Sequence, residues 1–135
     1  MIIIFYLGGL ASGIPGEIAG YFLAHKIGGR LSWKKLFEPA INLCNNGIRV
    51  TKILSNAIAE NESDIRSSAE LSSIYIDPLT NRLYHENDVI KMPNLAKTLK
   101  IISENGSDAF YNGELSKVIV QENNQNGIYK FYKFA

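Results

Sequence analysis

The chain has 135 residues, the size of one ordinary domain and enough to bury a sizeable core. Its 14 lysines and arginines oppose 13 aspartates and glutamates, so the formal net charge of +1 argues against nucleic acid as a partner. The single cysteine, Cys44, excludes an internal disulfide and supplies at most one thiolate to a metal site. The longest apolar run, Met1 to Leu7, is far shorter than the roughly 20 residues of a membrane-spanning helix, and no basic segment precedes it as in a signal peptide.

The first predicted helix runs from about Pro15 to Ile27. Proline suits the first helical turn, where its missing N–H would have no partner, and the positive end of the helix dipole favours the negative charge of Glu17. Apolar side chains then recur at helical spacing. The pair Gly28-Gly29 predicts a left-handed end to this helix.

Two more helices are predicted further along the chain. Ser32 is expected to cap a helix that ends at Gly47. Pro39 lies inside this helix and removes one backbone hydrogen bond, which predicts either one bent helix or two short helical pieces. Apolar residues at helical spacing predict a third helix from Val50 to Glu60.

The second half of the chain predicts shorter elements. Residues 60–70 are polar and rich in turn formers, which indicates either an exposed connection or a short capped helix near Ala69 to Tyr75. A small hairpin is predicted with Asp77-Pro78 at its turn. The remaining expected elements are a helix from Pro93 to Gly106, a one-turn helix within residues 107–113, a final helix over residues 114–121, and a tail at residues 127–135 that is a strand or an exposed end.

Four polar residues are candidates for a chemical role, and each has a simpler structural explanation. Glu17 could be a general acid or a substrate ligand, but an acid in the first turn of a helix is ordinary electrostatic capping. His25 and His85 are far apart in the sequence, and neither has a second histidine at metal-ligand spacing. Cys44 lies on the apolar side of its helix, which favours a small buried side chain over a nucleophile. The residues by themselves therefore predict a mainly helical globular segment without an active site of its own.

Two N-x-S sequons begin at Asn61 and Asn105, both in segments expected to be exposed. They are the candidate N-glycosylation sites of this chain. Such tripeptides are also common by chance, so they permit a secretory location without requiring one.

Several short motifs follow one another in a fixed order along most of the chain. They are Gly-Gly-Leu at residues 8–10, Ile-Pro-Gly-Glu at 14–17, Gly-Arg-Leu-Ser-Trp at 29–33, Phe-Glu-Pro-Ala-Ile at 37–41, Pro-Asn-Leu-Ala-Lys-Thr-Leu at 93–99 and Ala-Phe-Tyr-Asn-Gly at 109–113. In order and spacing they resemble the large-subunit region of the γ-glutamyltransferases, also called glutathione hydrolases or γ-glutamyl transpeptidases. A set of motifs in register is much more specific than any single one.

The resemblance implies an α+β fold, in which this chain is a mainly helical segment of an N-terminal nucleophile hydrolase with an αββα sandwich. Members of that family are made as one precursor that cleaves itself into a large and a small subunit. The new N-terminal threonine of the small subunit attacks the γ-glutamyl amide of glutathione, and its own α-amino group serves as the base. The acyl-enzyme then passes the glutamyl group to water or to an amino-acid acceptor. No metal or organic cofactor is implied.

The residues that perform this reaction in the family have no match here. The nucleophilic threonine belongs to a Thr-Thr/Ala/Ser-His context downstream of the matched region, and none of Thr51, Thr80 and Thr98 is followed by a similar sequence. The arginine that binds the glutamyl carboxylate belongs to an Arg-Glu-x-x-Pro motif upstream of it. We therefore expect no catalytic, substrate-binding or metal-ligating residue in this chain, and no activity from the chain alone.

Three segments are expected: residues 1–7 as an extension outside the family pattern, residues 8–128 as the family segment, and residues 129–135 as a tail outside the pattern. The interpretation is an interior fragment of a larger enzyme, whose partners are the rest of the large subunit and the small catalytic subunit. Because much of the family sheet would then be absent, the isolated chain is expected to be helical but poorly packed. A truncated, non-catalytic helical binding module is the alternative.

The resemblance also bears on location. Animal members of the family are typically single-pass membrane glycoproteins that face outward. The family therefore implies the extracellular face of the plasma membrane, or secretion, for the parent enzyme.

Overall fold

The computed structural model describes the backbone of residues 15–125 and the side chains of residues 15–122. Within that part of the chain the structure is mainly helical and contains one small antiparallel sheet. The elements are α1 (Glu17–Gly28), α2 (Trp33–Asn46), β1 (Ile48–Arg49), α3 (Lys52–Glu60), α4 (Glu62–Ser67), α5 (Ala69–Tyr75), β2 (Val89–Ile90), α6 (Pro93–Asn105), α7 (Asp108–Tyr111) and α8 (Glu114–Gln125). The predicted N-terminal apolar run and the C-terminal tail lie outside the described residues.

The chain divides into two compact units. The central unit comprises Glu38–Leu99, and the terminal unit comprises Met1–Phe37 together with Lys100–Ala135. Helices α2 and α6 contribute residues to both units. Among the described residues, no helix is both long enough and apolar enough to cross a membrane.

The central unit is built around the pairing of β1 with β2. Ile48 pairs with Ile90, and the pairing continues beyond the strands because the Val50 N–H donates to the Asp88 carbonyl at 2.8 Å. Val50 and Ile90 both lie in the interior, each 1% exposed. The hydrophobic core that they anchor consists of Val50, Ile58, Ile65, Leu83 and Ile90.

Helix α3 begins later than the sequence predicted. Val50 was expected to open the helix, but its backbone pairs with residues 87 and 88, so the chain turns helical only at Lys52. Thr51 caps the helix, and its hydroxyl oxygen accepts a hydrogen bond from the Leu54 N–H at 3.2 Å. The predicted third helix is therefore confirmed, with a corrected start.

The polar stretch at residues 60–70 is more ordered than its composition suggested. It contains a short helix, α4, which the sequence analysis did not predict. Ile65 points into the core and is 4% exposed, so one apolar side chain holds the turn in place. An ion pair between Arg66 Nε and Glu62 Oε1 at 2.7 Å lies along its surface. The predicted helix α5 follows, with the Ser68 hydroxyl as its N-cap acceptor.

The predicted hairpin forms after α5, closed by a single antiparallel bridge between Ile76 and Leu83. The Asp77 side chain organises the turn. Its carboxylate accepts hydrogen bonds from the Leu79 N–H at 2.9 Å and from the Thr80 hydroxyl at 2.8 Å. These bonds hold the pKa of Asp77 below its usual value, the Leu79 bond contributing most.

Helices α1 and α2 end in different backbone conformations. Helix α2 is one element with Pro39 inside it, so the alternative of two separate pieces is not observed, and Gly47 follows it with φ +115° as expected. The expected left-handed end of α1 is wrong, because Gly29 is extended with φ −67°. A Cβ at Gly29 would lie 2.5 Å from the His25 carbonyl oxygen, so close approach rather than a positive φ favours glycine there.

The terminal unit packs through aromatic side chains. The Trp33 ring meets Phe22, His25 and Phe37 edge to face, at centroid distances of 5.0, 5.5 and 4.8 Å. Its Nε1–H donates to the Ile102 carbonyl at 3.0 Å. Trp33 therefore joins the start of α2 to both α1 and α6 within this unit.

The last two predicted helices are also present. The one-turn helix α7 is confirmed, and α8 continues to Gln125, beyond the expected end at residue 121. The polar side chains that follow residue 121 predict an earlier end to the helix. Their propensities did not prevent the helical conformation from continuing.

Candidate functional site

The Pro-Gly-Glu sequence at the start of α1 serves as a helix start. Glu17 is the first helical residue, and its Oε1 accepts a hydrogen bond from the Tyr21 hydroxyl one turn later. This bond raises the pKa of Tyr21. Both residues are exposed on the same short stretch of helix. The arrangement fits capping and needs no chemical role.

A tyrosine from α7 binds the same helix start. The Tyr111 hydroxyl donates to the Pro15 carbonyl at 2.7 Å and accepts from the Ala19 N–H at 3.0 Å. It therefore satisfies one of the backbone N–H groups that a helix leaves without an internal partner at its N-terminus. This contact could not be predicted from the sequence, because no local pattern relates residues 15 and 111.

His25 and Cys44 have structural roles. One ring nitrogen of His25 lies 2.8 Å from the Leu31 carbonyl oxygen, and its ring packs on Trp33. Cys44 is buried, and its backbone carbonyl accepts the Met92 N–H at 2.9 Å. The structural interpretation of both residues fits the geometry.

A cluster of charged and polar side chains surrounds His85. Arg82 binds Asp88 through both terminal nitrogens, at 2.7 and 3.2 Å, and one of these nitrogens also lies 2.8 Å from His85 Nδ1. Asp88 accepts the His85 backbone N–H as well, at 2.7 Å. The network joins the hairpin to the strand that follows it.

The Arg82–Asp88 pair is poorly suited to proton transfer. The hydrogen bond from Arg82, followed by that from the His85 backbone, lowers the pKa of Asp88 to about 2. A general base works best with a pKa near the operating pH, so this carboxylate would be a weak one. We interpret the cluster as a structural brace, which holds residues 76–90 in one conformation through these hydrogen bonds. No periodicity in the sequence predicts it.

A shallow depression of about 500 Å³ lies in the central unit. It is lined by Arg66, Ala69, Ser72, Ser73, Ile76, Pro78 and Asn81. Its charged group, Arg66, is paired with Glu62, and both serine hydroxyls donate to backbone carbonyls. The depression therefore brings together no nucleophile and base.

The described residues contain no group of three or more histidine, cysteine, aspartate or glutamate side chains that could hold a metal ion. The candidate residues Glu17, His25, Cys44 and His85 each engage neighbours of a different kind, and the structure does not assemble them into one site.

Both sequon asparagines lie at the ends of helices and are exposed. The Asn61 side-chain nitrogen donates to the Ala57 carbonyl at 2.8 Å, and that of Asn105 donates to the Ile101 carbonyl at 3.0 Å. An amide nitrogen that carries a glycan keeps one hydrogen, so each bond could persist after modification. Glycosylation at Asn61 and Asn105 stays a prediction.

Comparison with known proteins gives a family match over most of the chain. The family model described as gamma-glutamyltranspeptidase matches residues 4–130. Glutathione hydrolase 3 of Arabidopsis thaliana is 39% identical over 116 residues, which are 86% of this chain and 18% of that protein. Scoloptoxin SSD14 of Scolopendra dehaani is 38% identical over 85% of this chain and 20% of its own length. The Escherichia coli glutathione hydrolase proenzyme is 34% identical over 87% of this chain and 20% of its own length.

Solved structures agree with the sequence comparison. The gamma-glutamyltranspeptidase of Helicobacter pylori superposes with a TM-score of 0.86 at 27% identity, covering 94% of this chain and 36% of that one. The Bacillus anthracis transpeptidase CapD gives a TM-score of 0.72 at 29% identity, over 90% of this chain and 42% of that one. The chain spans about a fifth of the length of the curated relatives it matches.

Proposed function

This chain belongs to the gamma-glutamyltranspeptidase family, and we propose that it is the helical scaffold segment of a longer precursor that hydrolyses the γ-glutamyl amide of glutathione. The observation that carries the proposal is the family match over residues 4–130 of the 135, together with relatives named glutathione hydrolase at 34% to 39% identity. The fold expected from the sequence is confirmed: the chain is a mainly helical segment of the N-terminal nucleophile hydrolase fold.

We place the catalytic residues of the parent outside this chain. An N-terminal threonine nucleophile uses its own free α-amino group as base, which an internal threonine lacks. Each threonine here is also engaged locally: Thr51 caps α3, Thr80 donates to Asp77 and Thr98 donates to the Asn94 carbonyl at 3.2 Å. These contacts support a scaffold role and the inactivity of the isolated chain.

The parent would follow the course of the family reaction. A threonine-led small subunit would take the γ-glutamyl group of glutathione and pass it to water or to an amino-acid acceptor. The rest of the large subunit would supply the arginine that binds the glutamyl carboxylate. In this assembly the present chain positions helices and contacts neither the reacting amide nor the oxyanion.

An extracellular or secreted location completes the proposal. The exposed positions of Asn61 and Asn105 are compatible with glycans on the folded chain. Removal of N-linked glycans from the native protein would then lower its apparent mass in two steps. Replacing either asparagine with glutamine would remove one step.

The direct test is to sequence the full-length transcript across both ends of this reading frame and to express the product. We expect an upstream Arg-Glu-x-x-Pro segment, a downstream threonine-led motif, and release of a chromogenic amine from a γ-glutamyl anilide. Alanine at the leading threonine is the control and should abolish release. A transcript confined to these 135 residues, or a full-length product without γ-glutamyl activity, would contradict the proposal.

A further inference from the structure

Helix α1 packs against the rest of its unit through one face only. Ile18, Phe22 and His25 lie on that face and are half-buried. Phe22 and His25 meet the Trp33 ring, and Phe22 also lies against the position of Gly106. No described residue of α1 is fully buried.

The opposite face of α1 is also apolar and has no partner in the described chain. At 100° per residue, Gly16, Gly20, Leu23, Ala24 and Ile27 fall on one side of the helix, and we call them the α1 outer face. All five are exposed. Leu23 is 60% exposed and Ile27 is 80% exposed.

A helix that is apolar on both sides is typical of the interior of a larger protein. A surface helix normally presents charged or polar residues opposite its packed face. On the α1 outer face the chain instead has glycine, alanine, leucine and isoleucine. This composition indicates a surface that is covered in the complete protein.

The glycines on this face are not explained by packing within the chain. A Cβ built at Gly16 or at Gly20 meets nothing within 4 Å. Glycine inside a helix is destabilising relative to alanine, and Gly20 has an ordinary helical hydrogen bond to the Gly16 carbonyl at 3.1 Å. Gly16 is the N-cap residue, where glycine is common, so the argument depends on Gly20, where close approach of another backbone would account for glycine.

We propose that a segment of the parent polypeptide outside this chain packs on the α1 outer face, approaching the helix backbone at Gly20. The occupant follows from the length of the family proteins: this chain covers 36% of the Helicobacter pylori chain that it superposes on and about a fifth of the curated relatives. Most of the family polypeptide is therefore available to cover this face. The inference rests on the proposed function, because it takes the parent to be longer than this chain.

The test compares the same substitutions in two molecules, the isolated 135-residue chain and the full-length precursor. Gly20→Ala is the most informative, because its effect should change sign. In the isolated chain there is room for the added Cβ and alanine is the better helix former, so the thermal midpoint should rise. In the precursor the added Cβ should meet the covering segment, and the midpoint should fall.

Leu23→Asp is the second variant, with Leu79→Asp as its matched control. Leu79 is the more exposed of the two, at 93% against 60%, and it lies in the hairpin turn of the central unit. In the isolated chain both aspartate variants should leave the midpoint nearly unchanged, and Leu23→Asp should reduce the binding of a fluorescent hydrophobic dye. In the precursor Leu23→Asp should lower the soluble yield several-fold, whereas Leu79→Asp should not.

Several results would overturn the inference. If Leu23→Asp unfolds the isolated chain, the face already packs within it. If the isolated chain forms a dimer that Leu23→Asp dissociates and Leu79→Asp leaves intact, the occupant is a second copy. A longer, active precursor in which Leu23→Asp behaves like Leu79→Asp overturns this inference alone. A transcript confined to this chain overturns both the inference and the proposed function.

Discussion

The central and terminal units differ in how completely they bury their own apolar side chains. The central unit has a core of five packed buried residues and a turn braced by Arg82 and Asp88. In the described part of the terminal unit, Ile102 is the only large apolar side chain that is fully buried, and α1 contributes none. One part of this family segment thus contains its own core, whereas the other leaves apolar surface open. The difference suggests that the terminal unit depends more on the rest of the parent.

The largest expected effect comes from opening the core of the central unit. Ile90 is 1% exposed and pairs with Ile48, so Ile90→Ala should lower the free energy of unfolding by about 2–5 kcal/mol. Denaturant unfolding followed by circular dichroism measures this change. Leu79→Ala, at a position 93% exposed, is the control and should change stability by less than about 0.5 kcal/mol. If Ile90→Ala and Leu79→Ala lowered the free energy of unfolding equally, Ile90 would not be part of a packed core.

A smaller loss is expected from the aromatic centre of the terminal unit. Trp33→Phe removes the hydrogen bond to the Ile102 carbonyl while keeping an aromatic ring between Phe22 and Phe37. We expect a loss of about 1–2 kcal/mol, because the Ile102 carbonyl keeps only the Gly106 N–H as a donor and the smaller ring leaves space beside Phe22. Thermal unfolding followed in the near-ultraviolet on the remaining aromatic residues would detect it. A neutral result would mean that this unit is packed more loosely than the structure indicates.

The hydrogen bonds of the Tyr111 hydroxyl at the start of α1 should contribute still less to the free energy of unfolding. Tyr111→Phe removes the hydroxyl that binds Pro15 and Ala19 and should cost about 1 kcal/mol. The amide of Ala19 should then exchange with solvent faster, as measured by hydrogen exchange. Tyr75→Phe in the central unit is a comparison that should leave the Ala19 amide unchanged. If the Ala19 amide exchanges at the same rate in Tyr111→Phe, the hydroxyl does not stabilise the start of α1.

The smallest effect concerns the brace of the central unit. Arg82→Met should return the pKa of Asp88 from about 2 towards its ordinary value of 3.8, because Arg82 is the main cause of the lowering. In the unsubstituted chain this carboxylate stabilises the fold above its ordinary pKa, and the contribution is lost as pH falls towards 2. Carboxyl chemical shifts followed over pH measure the change. Arg66→Met is the control, since Arg66 pairs with Glu62, and should leave the pKa of Asp88 where it was.

Much of the helical architecture could be read from local signals. Pro93 and Gly106 predicted the limits of α6, and the helix near Ala69 to Tyr75, one of two alternatives, is present as α5. The short helix α4 was missed because Ile65 is its only buried residue, and one apolar residue cannot show helical spacing. The β1–β2 pairing was missed because two-residue strands carry no alternation, and their partners are distant in sequence.

The functional assignment depended on a different kind of signal. Motif order along the chain predicted the family, which is confirmed over residues 4–130. Composition and periodicity alone led only to a helical segment without an active site. They could not predict the Arg82–Asp88 brace or the open α1 outer face, because both depend on which residues the fold brings together or leaves uncovered.

Hydrogen exchange on the isolated chain, resolved by residue, tests the central claim most directly. We expect slow, cooperative exchange at Val50 and Met92, whose amides bond to Asp88 and Cys44 in the central unit. Amides of α1 such as Gly20 should exchange much faster in the isolated chain, and slowly in the full-length precursor. Protection of α1 in the isolated chain equal to that of Val50 would contradict the claim that the terminal unit depends on sequence outside this chain.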